Sequence, residues 1–216
     1  MDKQKISRFC VYVLGLFILA MGLILNTKAN LGVSPIISVP YCISEIFNLN
    51  FGNLTFIVYC IFVVIQIVIH FRLKDKEAMI LDLFQLPLSL CFTRILNLFS
   101  SYIPVADTSL KAFIMLIIAI LLTGIGAAMS LSMQIIPNPG DGIVQAIARA
   151  LDKSVGFTKN VFDLFCVCIT VFLGMICTGG IVGIGIGTLI AVLGVGRVIA
   201  LFHFLFKDKI QALVSE

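Results

Sequence analysis

Residues 138–142 read Asn138-Pro139-Gly140-Asp141-Gly142, a polar, turn-forming stretch between two long apolar runs. Asparagine is a favoured helix N-cap, and proline suits the first helical position, where its missing N–H costs nothing. Asp141 then takes the third helical position, where a carboxylate suits the exposed amides and the positive end of the dipole. The stretch predicts a short helix from about Pro139 to Lys153, closed by Gly156. A second stretch, Val33-Ser34-Pro35-Ile36-Ile37-Ser38, has the same layout 104 positions upstream. It predicts a matching helix from about Pro35 to Asn48, closed by Gly52.

The surroundings define the fold class. Hydrophobic residues make up 60% of the 216 and charged residues only 12%, far too apolar for a soluble domain of this size. Runs of about 20 apolar residues match a hydrocarbon core roughly 30 Å thick. The chain reads as an all-α, polytopic helical membrane protein whose surroundings are the lipid bilayer. Spans are expected at about Phe9–Leu25, Leu54–Phe71, Met79–Phe99, Lys111–Ser130, Asn160–Met175 and Ile181–Phe206, with Pro87 predicting a kink in the third. The basic residues ahead of the first run resemble the start of a signal peptide. The run continues to Leu25 without a small-residue cleavage site, so a retained span is expected. The net charge of +4 calls for no nucleic acid, because the basic residues sit at span edges.

The order of elements repeats. At the same offset Gly22 falls on Gly126, Pro35 on Pro139, Ile43 on Ile147 and Gly52 on Gly156, while Arg94 pairs with Arg197 after a one-residue shift. The expectation is one transmembrane domain, residues 1–216, made of two repeats at about 8–104 and 111–208. Each short helix, of about 14 residues or about 21 Å, is too short to cross comfortably. With six crossings, Lys3, Lys5, Arg8, Arg72, Lys74, Lys76, Arg149, Lys153, Lys159, Lys207 and Lys209 are cytoplasmic, and only Lys28 and Lys111 of the flanking basic residues lie outside. Eight crossings move Arg72, Lys74 and Lys76 out. The positive-inside tendency selects six, with both termini cytoplasmic in a bacterial cell membrane. Three spans per half invert the second repeat relative to the first. The short helices then either re-enter, with their starts at Ser34 and Asn138 approaching each other near the midplane, or lie flat at the interface.

The pocket candidates are Ser34, Pro35, Ser38, Asn138, Pro139, Gly140, Asp141, Gly142, Arg94 and Arg197. Paired helix starts offer a positive focus for a small polar or anionic solute. Two readings of Asp141 stand open: a pocket residue that binds a cation or a proton, or a cap for its own helix. Arg94 and Arg197 either snorkel to opposite surfaces or line the route. Asp82 and Asp163 fall within about a turn of a cytoplasmic span end, within reach of water. The seven cysteines form no Cys-x-x-Cys pair and read as small apolar fillers. Glycines at 183, 185, 187, 194 and 196 read as a close-packing face. No nucleophile–base set or metal-ligand set is visible, so no enzyme, cofactor or metal is expected.

The run Lys28-Ala29-Asn30-Leu31-Gly32-Val33-Ser34-Pro35 resembles the A-x-L-G-x-S-P signature of the YczE/YyaS/YitT group of bacterial integral membrane proteins. Gly185-Ile186-Gly187-Thr188 resembles that group's Gly-x-Gly-Thr segment. Ile36-Ile37 stands where many relatives carry Trp-Asp, and the soluble C-terminal domain of the longer members is missing. The resemblance implies a membrane protein and supplies no substrate. The expected function is a small-solute permease. The alternative is a non-transporting subunit, either substrate-binding or an assembly partner of another membrane protein or a second copy.

Overall fold

The computed structural model describes residues 3–214 and is helical, with no strand among them. The helices are α1 (Lys3–Lys28), α2 (Pro35–Phe47), α3 (Phe51–Arg72), α4 (Lys76–Tyr102), α5 (Ser109–Ser132), α6 (Pro139–Ala150), α7 (Val155–Thr178) and α8 (Ile186–Val214). Six are long and apolar enough to cross a membrane, and α2 and α6 are the short ones. This is a multi-pass helical membrane protein. Its α3 shows the inside-out pattern that lipid imposes. Ile57, Ile61, Val64 and Val68 are exposed, while Thr55, Gln66 and His70 are buried. α4 runs unbroken through Pro87.

Several boundaries depart from expectation. α2 ends at Phe47 and α6 at Ala150, so Gly52 and Gly156 lie inside α3 and α7 instead of closing the short helices, and α7 starts before Asn160. Residues 181–185 are not helical, and α8 begins at Ile186. Gly183 has φ 78°, and the Gly187 amide donates to the Leu31 carbonyl at 2.7 Å. An amide committed to a neighbouring segment cannot also close a helical turn onto Gly183, so the helix starts only at Ile186.

The chain forms two compact units. The first comprises Met1–Ser34, Leu98–Ile135 and Gly185–Glu216, and the second Pro35–Asn97 and Ile136–Ile184.

In the first unit α1 and α5 pack antiparallel through glycine. A Cβ on Gly22 would stand 2.5 Å from the Thr123 nitrogen and 3.0 Å from the Ala119 oxygen. A Cβ on Gly126 would overlap the Leu19 nitrogen and stand 2.7 Å from the Gly15 oxygen. The two sets of contacts exchange when 104 is added to each α1 residue and subtracted from each α5 residue. Gly32 (φ 105°) meets Gly185, 153 residues further along the chain, so the two sequence motifs form one backbone junction. Ala29, Met115, Leu116, Ile120 and Ala191 make the core around it.

In the second unit α2 and α6 both pack on α3 and α7. Their first turns touch: a Cβ on Gly140 would stand 2.9 Å from Ile36 Cγ2. Their far ends diverge. Tyr41 of α2 packs edge-on against Phe51 at the start of α3, with ring centroids 5.9 Å apart. Arg149, near the end of α6, pairs with Asp75 beyond the other end of α3. With 13 and 12 residues, the two helices run about 20 and 18 Å from a shared start toward opposite ends of α3.

Candidate binding site at the start of α6

Asn138 caps α6, its side-chain oxygen accepting from the Gly140 amide at 3.2 Å. It is buried, with the Tyr59 side chain of α3 beside it. One helical face further along α3, Gln66 Nε2 reaches the Pro139 carbonyl at 3.5 Å. Gln66 and Gln85 of α4 exchange carboxamide bonds at 3.2 and 2.9 Å. Gln85 also donates to Asp82 Oδ1 at 3.2 Å, and Asp82 Oδ2 bonds His70 Nδ1 at 2.6 Å. Gln66, Gln85, Asp82 and His70 are all buried. Each polar group in this chain has a partner, as a dry interior demands. The chain joins the start of α6 to the α3–α4 end of the unit.

Gly142 lets this happen. A Cβ there would overlap Gln66 Oε1 and stand 3.1 Å from Gln85 Nε2. The equivalent position on α2 is Ser38, whose hydroxyl lies 2.7 Å from Thr170 Oγ1 on α7. Ser38 and Gly142 differ by 104, and so do Gln66 and Thr170. The pair on α2–α7 therefore mirrors the pair on α6–α3.

Asp141 is half-buried in the first turn of α6. Among the described residues its carboxylate accepts no hydrogen bond, and Asn138 holds the cap. It lies within electrostatic range of Lys159 and Asp163 on α7 and of Tyr59. Asp163 is buried. One of its oxygens sits 3.5 Å from Lys159 Nζ, and the other, Oδ1, has no hydrogen-bond partner. Thr158 Oγ1 is likewise buried and unpartnered.

The chain belongs to a family of unknown function, DUF6198. The family profile matches residues 6–204. No curated protein and no solved structure matches the chain.

Within this DUF6198 chain, Pro35, Ser38, Asn138, Pro139, Gly140, Asp141 and Gly142 share the second unit. Ser34 belongs to the first unit, where its amide donates to Asn26 Oδ1 at 2.7 Å. Ser34 is thus held by a carboxamide eight residues upstream, whereas Asn138 caps α6 directly. Arg94 and Arg197 are exposed and have no ionic or hydrogen-bond partner among the described residues. Asp82 and Asp163 depart from their expected positions within reach of water. α7 begins at Val155, which puts Asp163 about two turns inside the helix. Asp82 is buried and bonded to His70 Nδ1. Sequence reading passed over Tyr59, Gln66, His70 and Gln85. The signal available was their spacing along apolar spans, with Tyr59, Gln66 and His70 at near-helical intervals on one face of α3.

Asp75, outside the spans, is held below the usual aspartate range by the Ala78 amide and then by Arg149. A depressed carboxylate adds stability that is fully present above its unfolded pKa and is lost as pH falls through the folded value. Because the pair is solvent-exposed, Arg149→Gln is expected to change the melting temperature little and to remove a small salt-sensitive contribution near neutral pH. Melting curves of both proteins at low and high salt check this. A large, salt-independent loss would show that Arg149 does more than pair with Asp75.

Proposed function

We propose that this protein is a small-polar-solute permease of the bacterial cytoplasmic membrane, built as an inverted repeat whose short helices re-enter the bilayer. The observation that carries the reading is the pair of short helices that start against each other and end at opposite ends of α3. Head-to-head half-helices at mid-depth, with irregular backbone leading into them, are how many transporters place a site near the midplane. The exchange of contacts between α1 and α5, and between the α2–α7 and α6–α3 pairs, supports the repeat. The antiparallel α1–α5 packing supports its inversion. The Arg149–Asp75 pair supports six crossings, because eight crossings would put those two residues on opposite sides. Asn138, Gln66 and Gln85 make the surroundings of the α6 start polar within an apolar bundle. Carboxylates at Asp141 and Asp163 favour a neutral polar solute over an anionic one. The resemblance to the YczE/YyaS/YitT group agrees with the membrane setting and names no substrate.

Solute flux into vesicles holding only the purified chain tests the reading. The alternative, a non-transporting subunit of another complex, draws on α8, where only Gly187, Thr188 and Ala191 are buried. Absence of flux together with obligate co-purification of a second membrane protein would establish it. Single-cysteine labelling is expected to find Asp75 and Lys153 cytoplasmic and Asp107 external. Asp75 labelled from outside removes the inverted arrangement.

Asp141 gives a sharper contrast. Since Asn138 holds the cap, Asp141→Asn and Asp141→Ala are each expected to cost less than about 1 kcal/mol of stability. Both are expected to lose flux by an order of magnitude or more, as removal of a charge from a membrane pathway does. Wild-type flux in the Asn variant would strike Asp141 from the site.

A further inference from the structure

The start of α6 carries a surplus of negative charge. Asp141 and Asp163 lie within electrostatic range of one another, and one cation, Lys159, lies within that range of both. Lys159 reaches only Asp163 Oδ2, at 3.5 Å. Asp163 is 5% exposed, yet its Oδ1 has no partner, and neither does the hydroxyl of Thr158, also 5% exposed. A buried carboxylate oxygen without a donor costs free energy that a bound cation or a proton would recover. The other groups that face the pair are Tyr59 on α3 and Cys166 on α7. A phenol and a thiol add no positive charge. Asp82 belongs to a different set, since His70 and Gln85 already occupy its oxygens.

We propose that Asp141 and Asp163, with Lys159 as their resident counter-charge, form a binding site for one further positive charge, a proton or a sodium ion. This deepens the permease reading and rests on it for one point: the site is the coupling site of that permease. The ligands are hard oxygens, which suit Na⁺ and H⁺ over soft metals. Two carboxylates facing one ammonium leave one charge to neutralise, which suits a monovalent ion. Because the site adjoins the first turn of α6, neutralising it changes the field at the same helix start that Asn138, Tyr59 and Gln66 surround.

The test is thermal unfolding of the purified full-length protein at constant ionic strength. Sodium replaces a bulky organic cation, across a pH range that brackets carboxylates shifted by burial. A sodium site raises the melting temperature with added sodium at alkaline pH, and the effect fades as protons compete at acid pH. A proton site raises the melting temperature on acidification and ignores sodium. Asp163→Asn is expected to abolish whichever response the wild type shows. Lys159→Gln removes the competing ammonium and is expected to tighten apparent cation affinity on the order of tenfold. A wild type with neither response, or an Asp163→Asn protein that keeps it, overturns the proposal. If Asp163→Asn does not fold, Lys159→Gln decides: a response unchanged or weakened there also overturns it. Flux measured alongside separates the two readings. A cation response with no flux of any solute sinks the permease and leaves the binding site standing. Flux with no cation response sinks the site alone.

Discussion

Gly126→Val abolishes the folded, monodisperse protein: this is the expected result at the α1–α5 crossing. A side chain there would meet the Leu19 nitrogen and Cα and the Gly15 oxygen, all backbone atoms of α1. Backbone cannot swing aside as a long side chain can, so the helices must separate. Overpacking typically costs about 1–3 kcal/mol, and a backbone-on-backbone clash in the middle of a helix pair falls at the top of that range or beyond. Lipid supplies no hydrophobic drive to hold separated helices together, so close packing is the main stabilising term lost. Size-exclusion profiles and melting curves of the detergent-purified variant measure the effect. Gly156→Ala is the control, because nothing lies within 4 Å of a Cβ there. It is expected to behave like wild type or to gain the few tenths of a kcal/mol to about 1 kcal/mol that alanine brings to a helix. A well-folded Gly126→Val protein would show that α1 and α5 do not need their close approach.

The second large effect is expected at Asp82. Its two oxygens accept from His70 and Gln85 in the buried chain that leads to the start of α6. Asp82→Leu leaves both groups buried without an acceptor. The expected cost is about 3–5 kcal/mol, the range for breaking one side of a buried charged network. Asp82→Asn keeps one acceptor oxygen and is expected to lose roughly half as much. Pairing His70→Phe with Asp82→Leu replaces both partners by apolar groups and is expected to recover part of the loss. Melting temperatures of the three variants make the comparison. An Asp82→Leu protein as stable as wild type would mean that the chain is not stabilising. Equal loss in the single and double variants would mean that the cost lies in packing and not in the unpaired donors.

Much of this architecture is legible without coordinates. Long apolar runs can satisfy their backbone only as helices in lipid, so the six spans follow from composition and length. The short helices declare themselves at Ser34-Pro35 and Asn138-Pro139, because capping and the missing proline N–H are local effects. Their starts at residues 35 and 139 coincide with the observed ones. Where a boundary depended on a distant segment, local reading fell short. Nothing near Ile181 reveals that Gly187 will bond to Leu31, and so the last helix begins five residues later than its apolar run.

The candidate site divides in the same way. Asn138, Asp141 and Gly142 stand out because polar residues between apolar runs are conspicuous. Gln66, Gln85 and His70 do not, because a single polar residue in an apolar helix carries no sign of what it faces. Asp82 and Asp163 looked like span-end residues in reach of water, and only the packing of His70 on one and the early start of α7 before the other show both to be buried. Arg94 and Arg197 met the rule for intramembrane charge, yet both point outward from their helices. The sequence by itself determined which segments are helices, which are too short to cross, and where each short helix begins, since these depend on residues within a turn or two of one another. The tertiary structure alone decided which carboxamides meet, which carboxylate oxygens go without a donor, and which glycines carry another backbone. Those outcomes depend on pairs that lie far apart along the chain, with orientations set by how the helices pack.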